Sequence, residues 1–184
     1  TDFGPQIRKP LHISKDMFAR AVYLIIIGLF KKAVISDYIA QNFVDRVFDN
    51  PTLFSGGEIL LGIYGYCFQI YCDFSGYSDM AIGLGKMLGF TFPENFNYPY
   101  NFDAPFKADS MSDFWRRWHI SLSTWRRDYV YISLGGNRHG KWRMYLNQMI
   151  AMTACGLWHG ASLNFIVWGA LHGLLVCIHK FWSQ

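Results

Sequence analysis

Two histidines stand where an imidazole can do chemistry. His159 sits in Gly156-Leu157-Trp158-His159-Gly160, inside a run of 36 residues from Met144 to His179 that holds no Asp, Glu, Lys or Arg. An ionisable ring in such a run is a functional-site candidate, because in lipid the group is expensive. Neutral imidazole is a suitable general base near pH 7, and an apolar setting favours the neutral form. His159 could take the proton of an alcohol as that hydroxyl attacks an activated acyl group. A direct transfer between two bound substrates and a histidine-bound intermediate both fit. No Ser-His-Asp order and no Gly-x-Ser-x-Gly elbow indicates a serine acyl-enzyme. His119 follows Trp118 and borders an aromatic stripe, where a packed ring is the ordinary reading and a catalytic one the sharper. Asp73 and Asp79 bracket Phe74-Ser75-Gly76-Tyr77-Ser78 within another apolar stretch. They are expected to pair with arginines or cap helix ends; a polar cavity wall or proton relay is the alternative.

The elements that must hold these residues read as helices. Helical throughout, the run from 144 to 179 would extend about 54 Å. The hydrocarbon core is about 30 Å thick. One straight helix is too long and two full crossings need more, so a break is expected at Gly156, Gly160 and Ser162, with His159 beside it. Irregular backbone at membrane depth survives only when buried in protein or lining a wet cavity, and Asn164 supports a hydrated pocket. His172 and His179 are read as interfacial or structural. Upstream, Trp115, Trp118, Leu122, Trp125 and Tyr129 step by three and four, one face of a helix opening at Ser112 or Asp113. Arginines on the other side make residues 112–131 an amphipathic, interfacial segment.

Ser14 is expected to cap a helix. Residues 17–35 form an apolar stretch interrupted by Lys31-Lys32, which either spans with snorkelling lysines or enters from the interface. Residues 36–48 read as a surface-lying amphipathic helix. Asn50-Pro51 and Gly56-Gly57 mark a turn. The three prolines of residues 90–106 exclude a continuous helix there.

Composition agrees with a membrane setting. Hydrophobic residues are 52%, aromatics 18% and charged residues 16%, against about 25% charged in a soluble domain. Mean hydropathy is only +0.10, so apolar segments alternate with polar or interfacial ones. Eight basic residues and three acids lie between Lys107 and Arg143, which reads as a cytoplasmic side; embedding between membrane-grade segments disfavours nucleic-acid binding. The four cysteines form no Cys-x-x-Cys and read as reduced, buried small hydrophobes. No metal site and no phosphate-loop pattern is expected. Residues 1–15 read as a polar loop, and no signal peptide is expected from them. It reads as one partial domain, residues 1–184, cut from a longer polytopic protein, with residues 144–182 as the charge-poor, broken segment that carries the catalytic histidine.

Several stretches carry a likeness: residues 68–83, running from Phe68 through Asp73-Phe74-Ser75-Gly76-Tyr77-Ser78-Asp79 to Gly83; residues 113–123, with Trp115-Arg116-Arg117-Trp118-His119; residues 127–132; Leu134-Gly135-Gly136-Asn137-Arg138; and Gly156-Leu157-Trp158-His159-Gly160-Ala161. On these the chain resembles the membrane-bound O-acyltransferase family, in its bacterial alginate O-acetyltransferase-like branch. The resemblance implies an all-α integral membrane fold, a multi-helix core with short, broken and interfacial helices. It implies an acyltransferase that passes an acetyl group from a cytoplasmic-side donor, such as acetyl-CoA or an acyl carrier, to hydroxyls of an extracytoplasmic polysaccharide. His159 corresponds to the family's invariant histidine and His119 to its second one. The donor is substrate; no bound cofactor is expected, and the residues that contact the donor are not assigned. The expected partners are the bilayer and a periplasmic or extracellular transfer protein, and the expected location is the bacterial inner membrane, multi-pass. A D-alanyl or peptidoglycan O-acyltransferase relative is the alternative within the enzyme class. A non-catalytic transporter or scaffold of a polysaccharide export complex is the alternative outside it. Family members are considerably longer, and the loop Tyr98–Ser110 looks longer than in the alginate enzymes.

Overall fold

The computed structural model describes residues 3–8, 10, 12–90 and 101–183, and these are helical apart from turns and one isolated bridge. The chain divides into two compact units, residues 1–97 and 98–184.

In the first unit a short helix α1 (Phe3–Ile7) precedes α2 (Lys15–Leu29). Ser14 caps α2 as expected, its Oγ accepting from the Met17 N–H at 3.1 Å. The helical path does not stop at residue 35. It continues through a π-helical stretch Phe30–Ser36, α3 (Asp37–Ile39), a second π stretch Ala40–Val44 and α4 (Asp45–Asp49). Residues 36–48 are therefore no separate surface helix: Ser36, Val44 and Val47 are buried. Asn50 and Pro51 do turn the chain, in a 3₁₀ turn Pro51–Leu53. Gly56-Gly57 instead opens α5 (Gly56–Met87), because Ser55 and Glu58 close a capping box just before them. The Ser55 N–H donates to Glu58 Oε2 at 2.8 Å, so two backbone donors are satisfied and the helix can start there.

The two long helices of this unit run antiparallel and touch through small residues. A Cβ on Gly28 would stand 2.5 Å from the Gly76 carbonyl oxygen, and one on Gly83 would stand 2.8 Å from that of Ala21. Farther along, Ser36 Oγ donates to the Gln69 carbonyl and Val47 packs on Gly62. From the Gly28–Gly76 contact to the Val47–Gly62 contact the first path spends 19 residues where α5 spends 14. The wider π turns advance less per residue and absorb the excess, keeping one small-residue face on α5. Across this seam Lys31 Nζ pairs with Asp79 at 2.7 Å, and Lys32 Nζ pairs with Asp73 at 2.6 Å and Asp37 at 2.8 Å. The two acids thus find lysines rather than arginines, and the lysines have carboxylates to meet instead of snorkelling.

In the second unit, α8 (Lys141–His159) and α9 (Leu163–Trp182) form an antiparallel hairpin. Among the described helices, α9 alone is long and apolar enough to cross a bilayer; its 20 residues give about 30 Å, matching the hydrocarbon thickness. Gly169 lies so close to α8 that a Cβ would stand 2.5 Å from the Met152 carbonyl oxygen. Trp115, Met152 and Val176 form the core of the unit, with Phe114, Trp118 and Trp168 against it. Gly135 and Gly136 make a turn with φ of +100° and +56°, a backbone region that glycine enters without steric cost. Buried Asn147 fastens that turn to α8, its Nδ2 donating to the Leu134 and Gly136 carbonyls at 3.1 and 2.9 Å. Of the cysteines, Cys72 and Cys155 are buried, Cys177 is half-buried and Cys67 is exposed; all four are free.

Candidate active site

The break expected near Gly160 is present. His159 is the last residue of α8, and Ser162 caps α9, its Oγ accepting from the Asn164 N–H at 3.3 Å. Gly160 is needed for space: a Cβ there would meet the Phe165 ring at 2.5 Å. Gly156, one turn earlier, meets the Phe165 carbonyl and the Gly169 Cα. The helix end is therefore clamped to the start of α9 on both sides of His159. The His159 imidazole is exposed. It stands between indoles, with ring centroids 5.2 Å from Trp158 and 5.3 Å from Trp168, and stacks at 6.3 Å on Phe165.

His119 is positioned differently from the sequence expectation. The aromatic period of residues 112–131 continues through a break in the helix. Ser110, not Ser112 or Asp113, caps α6 (Met111–Arg117), its Oγ accepting from the Asp113 N–H. Trp118 is then extended, His119 adopts a left-handed conformation with φ +44°, and α7 (Ile120–Trp125) leads into a π-helical stretch Arg126–Tyr131. What breaks the helix is residues 101–103. Phe102 bridges Trp118; the Asp103 N–H donates to the Arg117 carbonyl at 2.9 Å and the Ile120 N–H to that of Asn101 at 3.1 Å. Asn101 Oδ1 accepts from the Ser121 N–H at 3.2 Å and from Ser121 Oγ at 2.6 Å. Phe102, Phe106 and Phe114 bracket the Trp118 indole. A non-glycine residue held in the left-handed region stores strain that its surroundings must over-determine, and such residues cluster at functional sites.

The Ser121 hydroxyl also lies 3.5 Å from His119 Nδ1. That hydroxyl donates to Asn101 Oδ1 at 2.6 Å, so the Asn101 side chain, Ser121 and the His119 ring lie in one polar cluster. Burial, and then the nearby His159, lower the His119 pKa to about 4, so the ring is neutral at pH 7. Its centroid is 6.4 Å from the Trp158 indole, the same indole that touches His159. Tertiary structure thus brings the two predicted histidines, 40 residues apart in the chain, to one tryptophan.

The remaining predicted residues separate. Arg117 is committed to Asp113 at 2.6 Å and Arg127 to Asp128 at 2.7 Å. Arg126 is buried with its Cζ 6.0 Å from the Trp115 ring centroid. His179 Nδ1 lies 3.0 Å from Ser112 Oγ. His172 is wedged between Trp115 and Trp168 at 5.3 and 4.6 Å. Asn164 is exposed at the start of α9. Residues 91–100, most of the proline-rich loop and the first part of Tyr98–Ser110, lie outside the described residues. Trp158, Trp168 and Asn101 are the site residues missed in the sequence. The repeated Trp-His pairs, Trp118-His119 and Trp158-His159, were the available signal for the first; nothing local announced the other two.

Along its whole length, residues 1–184, the chain matches the membrane-bound O-acyltransferase family. It is 48% identical over 181 residues to a probable alginate O-acetylase of Pseudomonas syringae pv. tomato, covering 97% of this chain and 33% of the relative. It is 44% identical over 166 residues to a peptidoglycan O-acetyltransferase of Helicobacter pylori, covering 90% of this chain and 30% of the relative. A teichoic acid D-alanyltransferase of Bacillus subtilis is 31% identical over 178 residues, covering 92% and 43%. This chain belongs to the membrane-bound O-acyltransferase family, and with its helical fold it is part of an all-α integral membrane protein. It spans about a third of the length of the alginate O-acetylases it matches.

Proposed function

We propose that the protein carrying this chain is an O-acetyltransferase of the bacterial inner membrane, crossing it several times, that moves an acetyl group from a cytoplasmic-side donor to hydroxyls of an extracytoplasmic polysaccharide. The donor is acetyl-CoA or an acetylated carrier, and a periplasmic partner completes delivery to the glycan. The observation that carries this reading is the convergence of His159, at a helix break, and His119, held in a strained turn, on the Trp158 indole.

In the proposed step the lone pair of neutral His159 takes the proton of an acceptor hydroxyl. The oxygen attacks the acyl carbonyl, the ester C–O bond forms and the thioester C–S bond breaks. The proton then passes from the imidazolium to the leaving thiolate, so the ring is regenerated. His119, neutral at pH 7, orients the donor or tunes the site from the cytoplasmic side. General base assistance of this kind contributes typically 10²–10⁴-fold.

The relatives named for alginate and peptidoglycan acetylation support an acetyl donor and a glycan acceptor. The D-alanyltransferase supports the runner-up, the same core using an aminoacyl group. In the full-length protein, His159→Ala should remove acetyl groups from the exported polysaccharide, read by mass spectrometry, while protein abundance in the membrane stays at the wild-type level. Wild-type acetylation in that variant would remove His159 from the mechanism. D-alanyl esters in place of acetyl esters in the wild type would select the runner-up.

A further inference from the structure

The second unit contains a cavity of about 430 Å³ whose wall carries Arg116, Arg126, Arg127, Lys180, Ser123 and Thr124 and, among the described residues, no carboxylate. That volume is in the range of small-ligand sites. Arg127 is already neutralised by Asp128, with two contacts of 2.7 and 3.2 Å. The other three cations have no acid on this wall. Among the described residues, Lys180 Nζ reaches the neutral amide of Gln148, at 3.4 Å, and the face of Tyr131, at 5.4 Å. The charges of Arg116 and Arg126 both repel it. Arg126 is the sharpest case. It is 9% exposed, and its buried Nε has no hydrogen-bond partner among the described residues. A buried guanidinium without a counter-ion is costly, so a chain that keeps one beside a cavity has a use for an anion there.

We infer that this cavity binds a phosphate group, with the Arg126 and Arg116 guanidinium groups and the Lys180 ammonium as its ligands and the Ser123 and Thr124 hydroxyls beside it. A phosphate monoester carries about −1.5 to −2 charges at pH 7 and three acceptor oxygens, which matches three uncompensated cations better than a single carboxylate does. Guanidinium forks offer paired donors to phosphate oxygens. The phosphate has two possible sources with this chemistry: a soluble phosphorylated molecule, such as a nucleotide-bearing acyl donor, or the headgroup of an anionic phospholipid. The first source rests on the acyl-transfer reading; the site itself does not.

The test uses the full-length protein in detergent, with inorganic pyrophosphate as the probe and chloride at matched ionic strength as the reference. Thermal unfolding should shift upward with pyrophosphate and saturate. The titration midpoint should rise at least tenfold in Arg116→Gln and in Lys180→Gln, neither of which removes the buried Arg126. Arg116→Lys, which keeps the charge, should retain most of the response, and Arg138→Gln, outside the cavity, should titrate as wild type. His159→Ala should also titrate as wild type, so failed acyl transfer and failed phosphate binding are told apart. Repeating the titration in phosphatidylcholine nanodiscs with and without phosphatidylglycerol separates the sources. Competition by phosphatidylglycerol assigns the site to a headgroup, and its absence assigns the site to a soluble phosphate. No response beyond chloride, or equal midpoints in wild type and both Gln variants, would overturn the inference.

Discussion

Gly156→Ala sets two physical effects against each other. By backbone propensity alone, alanine in a helix is favoured over glycine by roughly 0.5–1 kcal/mol. Tertiary packing points the other way. The added Cβ would overlap the Phe165 carbonyl oxygen and stand 3.1 Å from the Gly169 Cα, where relaxed carbon contacts lie at roughly 3.5–4.0 Å. Both obstacles are main-chain atoms of α9, so no side-chain rotation relieves them, and the carbonyl overlap requires the helices to part by roughly 1 Å or more. Overpacking of this kind costs about 1–3 kcal/mol, which outweighs the propensity gain. The separation falls one turn from His159, and a misplacement of about 1 Å can cost on the order of 100-fold in rate. We expect Gly156→Ala in the full-length protein to lower the melting temperature in detergent and to cut polysaccharide acetylation by roughly 100-fold. Gly57→Ala is the control: nothing lies within 4 Å of its added Cβ, so it should leave acetylation intact and stability equal or slightly higher. A Gly156→Ala protein with the wild-type melting temperature and full acetylation would refute the clamp.

Asp79→Asn leaves half-buried Lys31 without its carboxylate and should destabilise the protein by about 1–3 kcal/mol; the joint change Lys31→Met with Asp79→Met should recover most of that loss in thermal unfolding, and failure to recover any would show that the pair is not what the seam needs. His119 makes stability depend on pH in a stated direction. Its folded-state pKa, lowered to about 4, lies below the unfolded value of about 6.5. The unfolded chain therefore binds more protons between these values, and stability is lost as pH falls from about 6.5 through about 4. His119→Asn should flatten that part of the melting-temperature profile; an unchanged slope would show that the ring is not held neutral.

Some of this protein was legible residue by residue. The Ser14 cap needs only a hydroxyl three residues before the Met17 N–H, a local arrangement. The break beside His159 followed from arithmetic, since a charge-free run too long for one crossing must interrupt itself, and glycine and serine mark where that is cheapest. The family likeness could be read because its motifs sit in short contiguous stretches. The amphipathic segment shows the opposite case: the aromatic period of residues 115–129 runs through the Trp118–His119 break unaltered, because the break is imposed by Asn101 and Phe102 from another segment.

The chain alone determined that it is helical, membrane-grade, locally basic and built around two candidate histidines, because those properties reside in composition and short-range spacing. Only tertiary structure decided that lysines answer Asp79 and Asp73, that Asn147 holds the Gly135–Gly136 turn, that one indole joins His119 to His159, and that three uncompensated cations line a cavity with no acid among its described residues. Each of these depends on residues from different segments of the chain being brought within a few ångströms, and helix pairings are set by backbone contact at glycines such as Gly28, Gly76, Gly156 and Gly169. A glycine reads as a turn or a weak helix former in one dimension; its use as a surface for another helix exists only after folding.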